Sequence, residues 1–171
     1  HRNPDPAGTD RRHPATTAVF LKLMVDVVDT ETRSRMMSGI RGRNTRPEII
    51  VRSLLHRQGF RFRLHVRELP GNPDIVLPKY CAVIFVHGCF WHGHDCPLYR
   101  LPDTRSDFWQ NKIDGNRARD DKARTALLAS GWRIAVVWEC ALRGAGADPE
   151  EGAQGLTAWL RSKEPETAIR K

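Results

Sequence analysis

Cys81-Ala-Val-Ile-Phe-Val86 is a continuous apolar run, and His87-Gly-Cys89-Phe90-Trp91-His92-Gly-His94-Asp-Cys96 follows it without a break. A run with no polar alternation predicts a central strand buried on both faces, the kind that helices cover on each side. Upstream, Pro70-Gly-Asn-Pro73 predicts a turn, Asp74-Ile-Val-Leu77 a short strand, and Pro78-Lys-Tyr80 a second turn. Phe60, Phe62, Leu64 and Val66 alternate with Arg61, Arg63, His65 and Arg67, the period of a strand with one wet face. Thr45-Arg-Pro-Glu48 is a capping box with proline near the helix start; the helix carries Ile50, Val51, Leu54 and Leu55 and stops at Gly59. Asp29-Thr30 is expected to cap a shorter helix, Glu31 to Ser38, ended by Gly39.

Downstream of the cluster, residues 88–105 read as irregular. A long helix is expected from Ser106 or Asp107 to Ser130, closed by Gly131, then a buried strand over Trp132–Trp138. Asp148-Pro149 starts a last helix containing Leu156, Trp159 and Leu160. Helix, helix, three strands, helix, strand, helix describes an α/β layered domain around a mixed sheet. The 171 residues suffice for one such domain, placed at 29–161, with 1–28 as a mobile leader and 162–171 as a tail. The chain opens on His1 rather than Met, as a text starting inside a longer reading frame would.

With 40% hydrophobic and 28% charged residues the composition is globular, and no apolar run is long enough to span a membrane. Lys22 and Asp26 interrupt the apolar stretch Val19–Val28, which argues against a secretory signal. The net charge of +8 is concentrated: residues 30–70 hold ten arginines, no lysine and three glutamates, for +7. Arginine forks suit phosphate oxygens, so this stretch is either a nucleic-acid footprint or a solvated basic surface.

Three histidines and two cysteines within residues 87–96 suit zinc, which prefers thiolate and imidazole in tetrahedral array. Cys89, His94 and Cys96 can wrap one ion, and Cys140 at the end of a strand supplies a fourth ligand. Cys81 competes, but along an extended strand it lies more than about 20 Å from Cys89 and reads as a small core residue. Thiols held this way imply a reducing compartment. Phe90 and Trp91 read equally as core aromatics or as a wedge presented to DNA. Asp74, Glu48 and His87 collect near strand ends in a way that can hold Mg2+ against a phosphodiester, although Glu48 is already employed as a cap. Lys112, Asn116 and Asp120 recur every fourth residue, either as a solvated face or with Lys112 and Asn116 as donors to base edges and Asp120 orienting a histidine.

Leu69-Pro70-Gly71-x-Pro73-Asp74, Phe85-Val86-His87-Gly88-Cys89-Phe90-Trp91-His92, Phe108-Trp109-x-x-Lys112-Ile113 with Asn116 and Asp120, Gly131-Trp132-Arg133 and Val137-Trp138-Glu139-Cys140-Ala141-Leu142-Arg143-Gly144 occur in that order. Over roughly residues 29–145 the chain resembles the very-short-patch repair endonucleases, DNA mismatch nickases of bacteria. The resemblance implies a restriction endonuclease-like fold with a modified PD-(D/E)xK core, Phe85 and His87 standing where that core has its second acid and lysine. It implies nicking 5′ of the thymine in T·G mismatches left by deamination of 5-methylcytosine. Asp74 and the Val86 main-chain carbonyl match the Mg2+ site, and Glu48 a glutamate supporting the metal's water shell. His92 with Asp120 matches the water-activating pair, and His87 a second histidine at the scissile phosphate. Cys89, His94, Cys96 and Cys140 match a structural Zn2+ site. Phe90 and Trp91 match intercalating aromatics, Met37 and Ile40 residues entering from the other groove, and Lys112 and Asn116 residues facing the mismatch. The expected partner is double-stranded DNA with a T·G mismatch, engaged by a monomer in the bacterial cytoplasm at the nucleoid, with mismatch-repair proteins as candidate partners. A zinc-stabilised DNA-binding module without catalysis, and a restriction-type nuclease of intact duplex, are the rival classes.

Overall fold

The computed structural model describes residues 43–171. Met37, Ile40, the helix expected over 31–38 and the leader lie outside the described residues. Helix α1, Arg46–Arg57, starts where the capping box places it: the Glu48 carboxylate accepts from the Thr45 amide at 3.2 Å and the Thr45 hydroxyl at 2.9 Å. There follow β1 (Arg63–Leu64), β2 (Ile75–Leu77), a single 3-10 turn at Pro78–Tyr80, and β3 (Ala82–His87). Then come α2 (Ser106–Ala129), β4 (Arg133–Trp138), the short α3 (Glu139–Leu142), α4 (Pro149–Arg161) and β5 (Glu166–Ile169). Asp148 caps α4, its side chain accepting from the amides of Glu150 and Glu151.

The sheet runs in sequence order β1 to β5; β2 pairs antiparallel with both β1 and β3, while β3, β4 and β5 are parallel. It is the mixed sheet the order of elements predicts. Side-chain alternation sorts the strands onto two helical layers. Ile75, Leu77, Ala82, Ile84, Ala135 and Val137 face Val51 and Leu55 of α1 and Leu156, Trp159 and Leu160 of α4. Val76, Val83 and Ile134 turn the other way, onto Leu127 of α2. Helices therefore cover both faces, which is why β3 reads as uninterrupted apolar sequence. Among the described residues no helix is long and apolar enough to cross a membrane.

Three expectations need correction. The strand expected over Phe60–Val66 shrinks to Arg63–Leu64, because β2 offers only three residues to pair with and His65 turns to a left-handed φ of 54°. The supposed tail 162–171 contains β5, four residues paired in parallel with β4 through Val137↔Ile169. Cys81 is exposed rather than core: it closes the 3-10 turn at φ 45°, one residue before β3 begins.

Candidate active site and metal-binding loop

β3 ends at His87, which pairs in register with Trp138 at the end of β4. The chain then leaves the sheet in a tight loop, with His92 N–H donating to Gly88 O at 3.3 Å and His94 N–H to Cys89 O at 2.9 Å. The loop folds the His92 ring back over His87, centroids 3.7 Å apart and planes within 5°. His92 Nδ1 meets Asp120 Oδ2 of α2 at 2.5 Å. That bond puts a proton on Nδ1, so it is Nε2 that carries the lone pair whenever the ring is neutral, the form a general base requires. Burial, then the neighbouring His92, holds His87 down to about 3, so it is a neutral imidazole across the physiological range. His87, His92 and Asp120 each bring one donor atom to within 4.8 Å of the others, so the trio can handle a proton and has the spacing to hold a metal ion. The pair also faces a groove of about 860 Å3 whose walls include Arg117, Asp120 and Trp138 but not Asp74.

Asp74, one residue before β2, accepts from Val86 N–H at 2.7 Å, which ties the carboxylate across to the end of β3. Burial raises its pKa to about 6 against that hydrogen bond; Glu48 pushes it further up, while Arg52 and His92 pull it down. Asp74, Glu48, Arg52 and His92 thus lie within one another's fields. A buried carboxylate that protonates this readily gains from a hard cation beside it, which is the chemistry Mg2+ needs. Glu48 is only 3% exposed and both its oxygens are engaged, by the Asn44 and Thr45 amides, the Thr45 hydroxyl and the Arg52 guanidinium. Its capping role is realised in full, so it bears on Asp74 by charge.

Cys89, His94, Cys96 and Cys140 bring one donor atom each to within 4.8 Å of the others. Four ligands about 2.3 Å from a tetrahedral ion would stand about 3.8 Å apart, and Cys140 Sγ already lies 3.6 Å from His94 Nδ1, so the four donors are near the spacing a Zn2+ ion would need. Burial pushes the Cys89 thiol up to about 12, and a thiol so placed becomes a thiolate only beside a cation. Cys140 comes from α3, directly after β4, and Trp138 stacks on His94 at 4.2 Å.

Phe90 and Trp91 are neither core nor free. Half-buried, they meet edge to face at 5.2 Å, and Trp109 of α2 packs on both, at 5.5 and 6.0 Å. The Lys112 ammonium lies 5.7 Å from the Trp91 ring. Asn116 is not an idle donor: its Nδ2 holds the Trp91 carbonyl at 2.7 Å. The stripe Lys112, Asn116, Asp120 is therefore the face α2 turns to the loop. Sequence reading missed Trp109, Arg117, Trp138 and Glu139, whose carboxylate accepts from the Cys89 amide at 3.3 Å. Trp109 had a signal, since it sits inside the Phe108-Trp109 motif. Trp138 and Glu139 had one too, inside the Val137-Trp138-Glu139-Cys140 motif, but the place of Trp138 beside His87 needed the β3–β4 register.

The family model described as DNA mismatch endonuclease Vsr matches residues 25–98. The chain is 56% identical over 124 residues to the type II nicking enzyme V.XorIIP of Xanthomonas oryzae, covering 72% of this chain and 91% of that protein. It is 46% identical over 138 residues to the DNA mismatch endonuclease Vsr of Escherichia coli, covering 80% and 88%. The chain belongs to the Vsr family of DNA mismatch endonucleases. As a Vsr-family protein it is a DNA-cleaving hydrolase. The Vsr match ends at residue 98, so α2, with Asn116, Arg117 and Asp120, enters the site from beyond it.

Proposed function

We propose that the protein nicks one strand of duplex DNA 5′ of the thymine in a T·G mismatch, by Mg2+-dependent hydrolysis on a restriction endonuclease-like core stabilised by Zn2+. The observation that carries this reading is the His92–Asp120 pair, stacked on a neutral His87 beside the buried Asp74 carboxylate. A water placed at His92 Nε2 gives its proton to that nitrogen as its oxygen attacks phosphorus; the P–O3′ bond breaks, and the 3′ oxygen leaves as a hydroxyl with a proton from solvent. Asp120 fixes the tautomer and stabilises the imidazolium that forms. His87, neutral, has an N–H to offer a phosphoryl oxygen. Asp74, with the Val86 carbonyl, would hold Mg2+ through its oxygen not taken by the Val86 amide, and Glu48 adds negative charge behind it. When bound, Mg2+ supplies neutralisation of the charge gathering on the phosphoryl oxygens.

Cys89, His94, Cys96 and Cys140 would hold Zn2+ with no open position, a structural role. That ion would fix the loop carrying Phe90, Trp91 and His92. Lys112 and Asn116 stand beside Trp91, where a mismatched pair opened by the aromatics would lie. Met37 and Ile40 are proposed as contacts from the opposite groove. Such a substrate places the enzyme, as a monomer, at the bacterial nucleoid, where mismatch-repair proteins are candidate partners.

One assay tests the reading: a labelled T·G duplex and its T·A counterpart, each with and without Mg2+. A single nick in the thymine strand of the mismatch, only with Mg2+, is expected. Cleavage of both strands of the matched duplex would mark a restriction-type nuclease. Tight binding with no cleavage would mark a DNA-binding module.

A further inference from the structure

Helix α2 fastens the His92 loop through three consecutive main-chain carbonyls. Asn116 Nδ2 takes Trp91 O at 2.7 Å, Arg117 Nε takes His92 O at 3.0 Å, and Arg117 Nη2 takes Gly93 O. Among the described residues no main-chain donor reaches any of the three. Gly93 is what admits the guanidinium. It stands at φ +61°, and a Cβ there would lie 2.6 Å from Arg117 Nη2 and 2.8 Å from Ile113 Cγ2. Residue 93 also joins His92 to His94, one of the four clustered metal-ligand candidates. A single planar cation therefore grips the two peptide units between the imidazole and that cluster.

Resting on the nicking reading above, we propose that Arg117 is a positioning residue for the reaction: it fixes the 92–93 main chain so that the His92 ring stays on His87 and on Asp120. Asp120 restrains one atom of the ring. The ring's height over His87 is set by where residue 92's backbone lies, and Arg117 sets that through two charge-assisted bonds whose fork geometry a lysine cannot copy. Arg117 is otherwise exposed, and its removal leaves the buried core untouched.

The test is single-turnover nicking of a T·G duplex, read beside mismatch affinity, zinc content and amide exchange. Arg117→Ala should slow the step about 10–100-fold, the usual cost of a misplaced catalytic group, with affinity and zinc content unchanged. Added guanidinium ion should restore part of the rate, and Arg117→Lys should fall between the two proteins. In DNA-free protein, exchange at the 92–94 amides should quicken about tenfold or more in Arg117→Ala, since two charged hydrogen bonds are gone. A wild-type rate in Arg117→Ala, or unaltered exchange, overturns the inference. So does a loss of rate and affinity together that guanidinium does not repair. Failure of the wild-type protein to nick sinks the proposed function instead, and the exchange arm still decides whether Arg117 braces the loop.

Discussion

Burial pushes His87 and Asp74 towards their uncharged forms from opposite sides, one imidazole held down to about 3 and one carboxyl raised to about 6. In the proposed mechanism the two groups divide the work accordingly: a neutral ring that would donate a hydrogen bond, and a carboxylate whose charge a cation would secure. His92 differs because Asp120 addresses its Nδ1 at 2.5 Å. His92→Ala should lower the single-turnover rate about 10²–10⁴-fold, the range for a lost general base, with T·G affinity kept. Asp74→Ala should leave no measurable nicking while still binding the mismatch. Full activity in Asp74→Ala would end the mechanism as drawn. His87 and Asp74 stand out in sequence as candidates because a polar side chain breaks a buried run at His87 and Pro73-Asp74 precedes a strand, whereas the His92–Asp120 pairing came through the family resemblance. Arg117 does not stand out, since nothing in an arginine on a polar helix shows that it grips two carbonyls 25 and 24 residues away.

Elements that bury a face wrote themselves clearly into the sequence, and elements that only pair by backbone did not. α1, α2, β3, β4 and α4 were found to within a residue or two because apolar periodicity tracks burial. β5 was missed: Glu166, Thr167, Ala168 and Ile169 form a polar, charge-flanked edge strand, and edges are commonly blunted in this way. Its contribution is measurable. Deleting residues 165–171 removes the ladder to β4 and the packing of Ile169 on the core, and should lower the melting temperature by several degrees. Glu166→Ala, which loses only the exposed pair with Arg124, should cost under about 1 kcal/mol. Equal losses from both changes would refute the account of β5. The proposed zinc site follows similar reasoning: Cys140→Ala should lose zinc and stability together, since binding and folding are linked in structural zinc sites, whereas Cys81→Ala should keep both. Metal analysis of the two variants decides it. Loss of zinc in Cys81→Ala alone would mean the ligands are wrong.

The sheet, its two helical layers and the loop make one frame that carries exposed arginines along residues 43–67 and an aromatic cluster on the loop and α2. Arg43, Arg46, Arg57, Arg61, Arg63 and Arg67 are exposed, while Phe90, Trp91 and Trp109 form a half-buried cluster on the loop and α2. The even choice between core aromatics and a wedge was beyond sequence, because partial burial depends on a helix far along the chain. Different chemistries give separable energetics. Phosphate contacts act on any duplex and weaken with salt, whereas a wedge acts where the stack opens cheaply. A T·G wobble is easier to unstack than a matched pair, so an inserted ring is opposed less there. Stacking on an aromatic is worth roughly 1–3 kcal/mol per base, or about one to two decades of affinity. Trp91→Ala should therefore weaken binding to a T·G duplex by that much and to a matched duplex far less, with an unchanged salt slope. Arg61→Ala or Arg63→Ala should weaken both duplexes nearly equally and flatten the salt dependence. Titrating each variant against both duplexes at two salt concentrations separates the terms. If Trp91→Ala lowers the two affinities by the same factor, the aromatic cluster serves packing alone and mismatch selection must reside elsewhere.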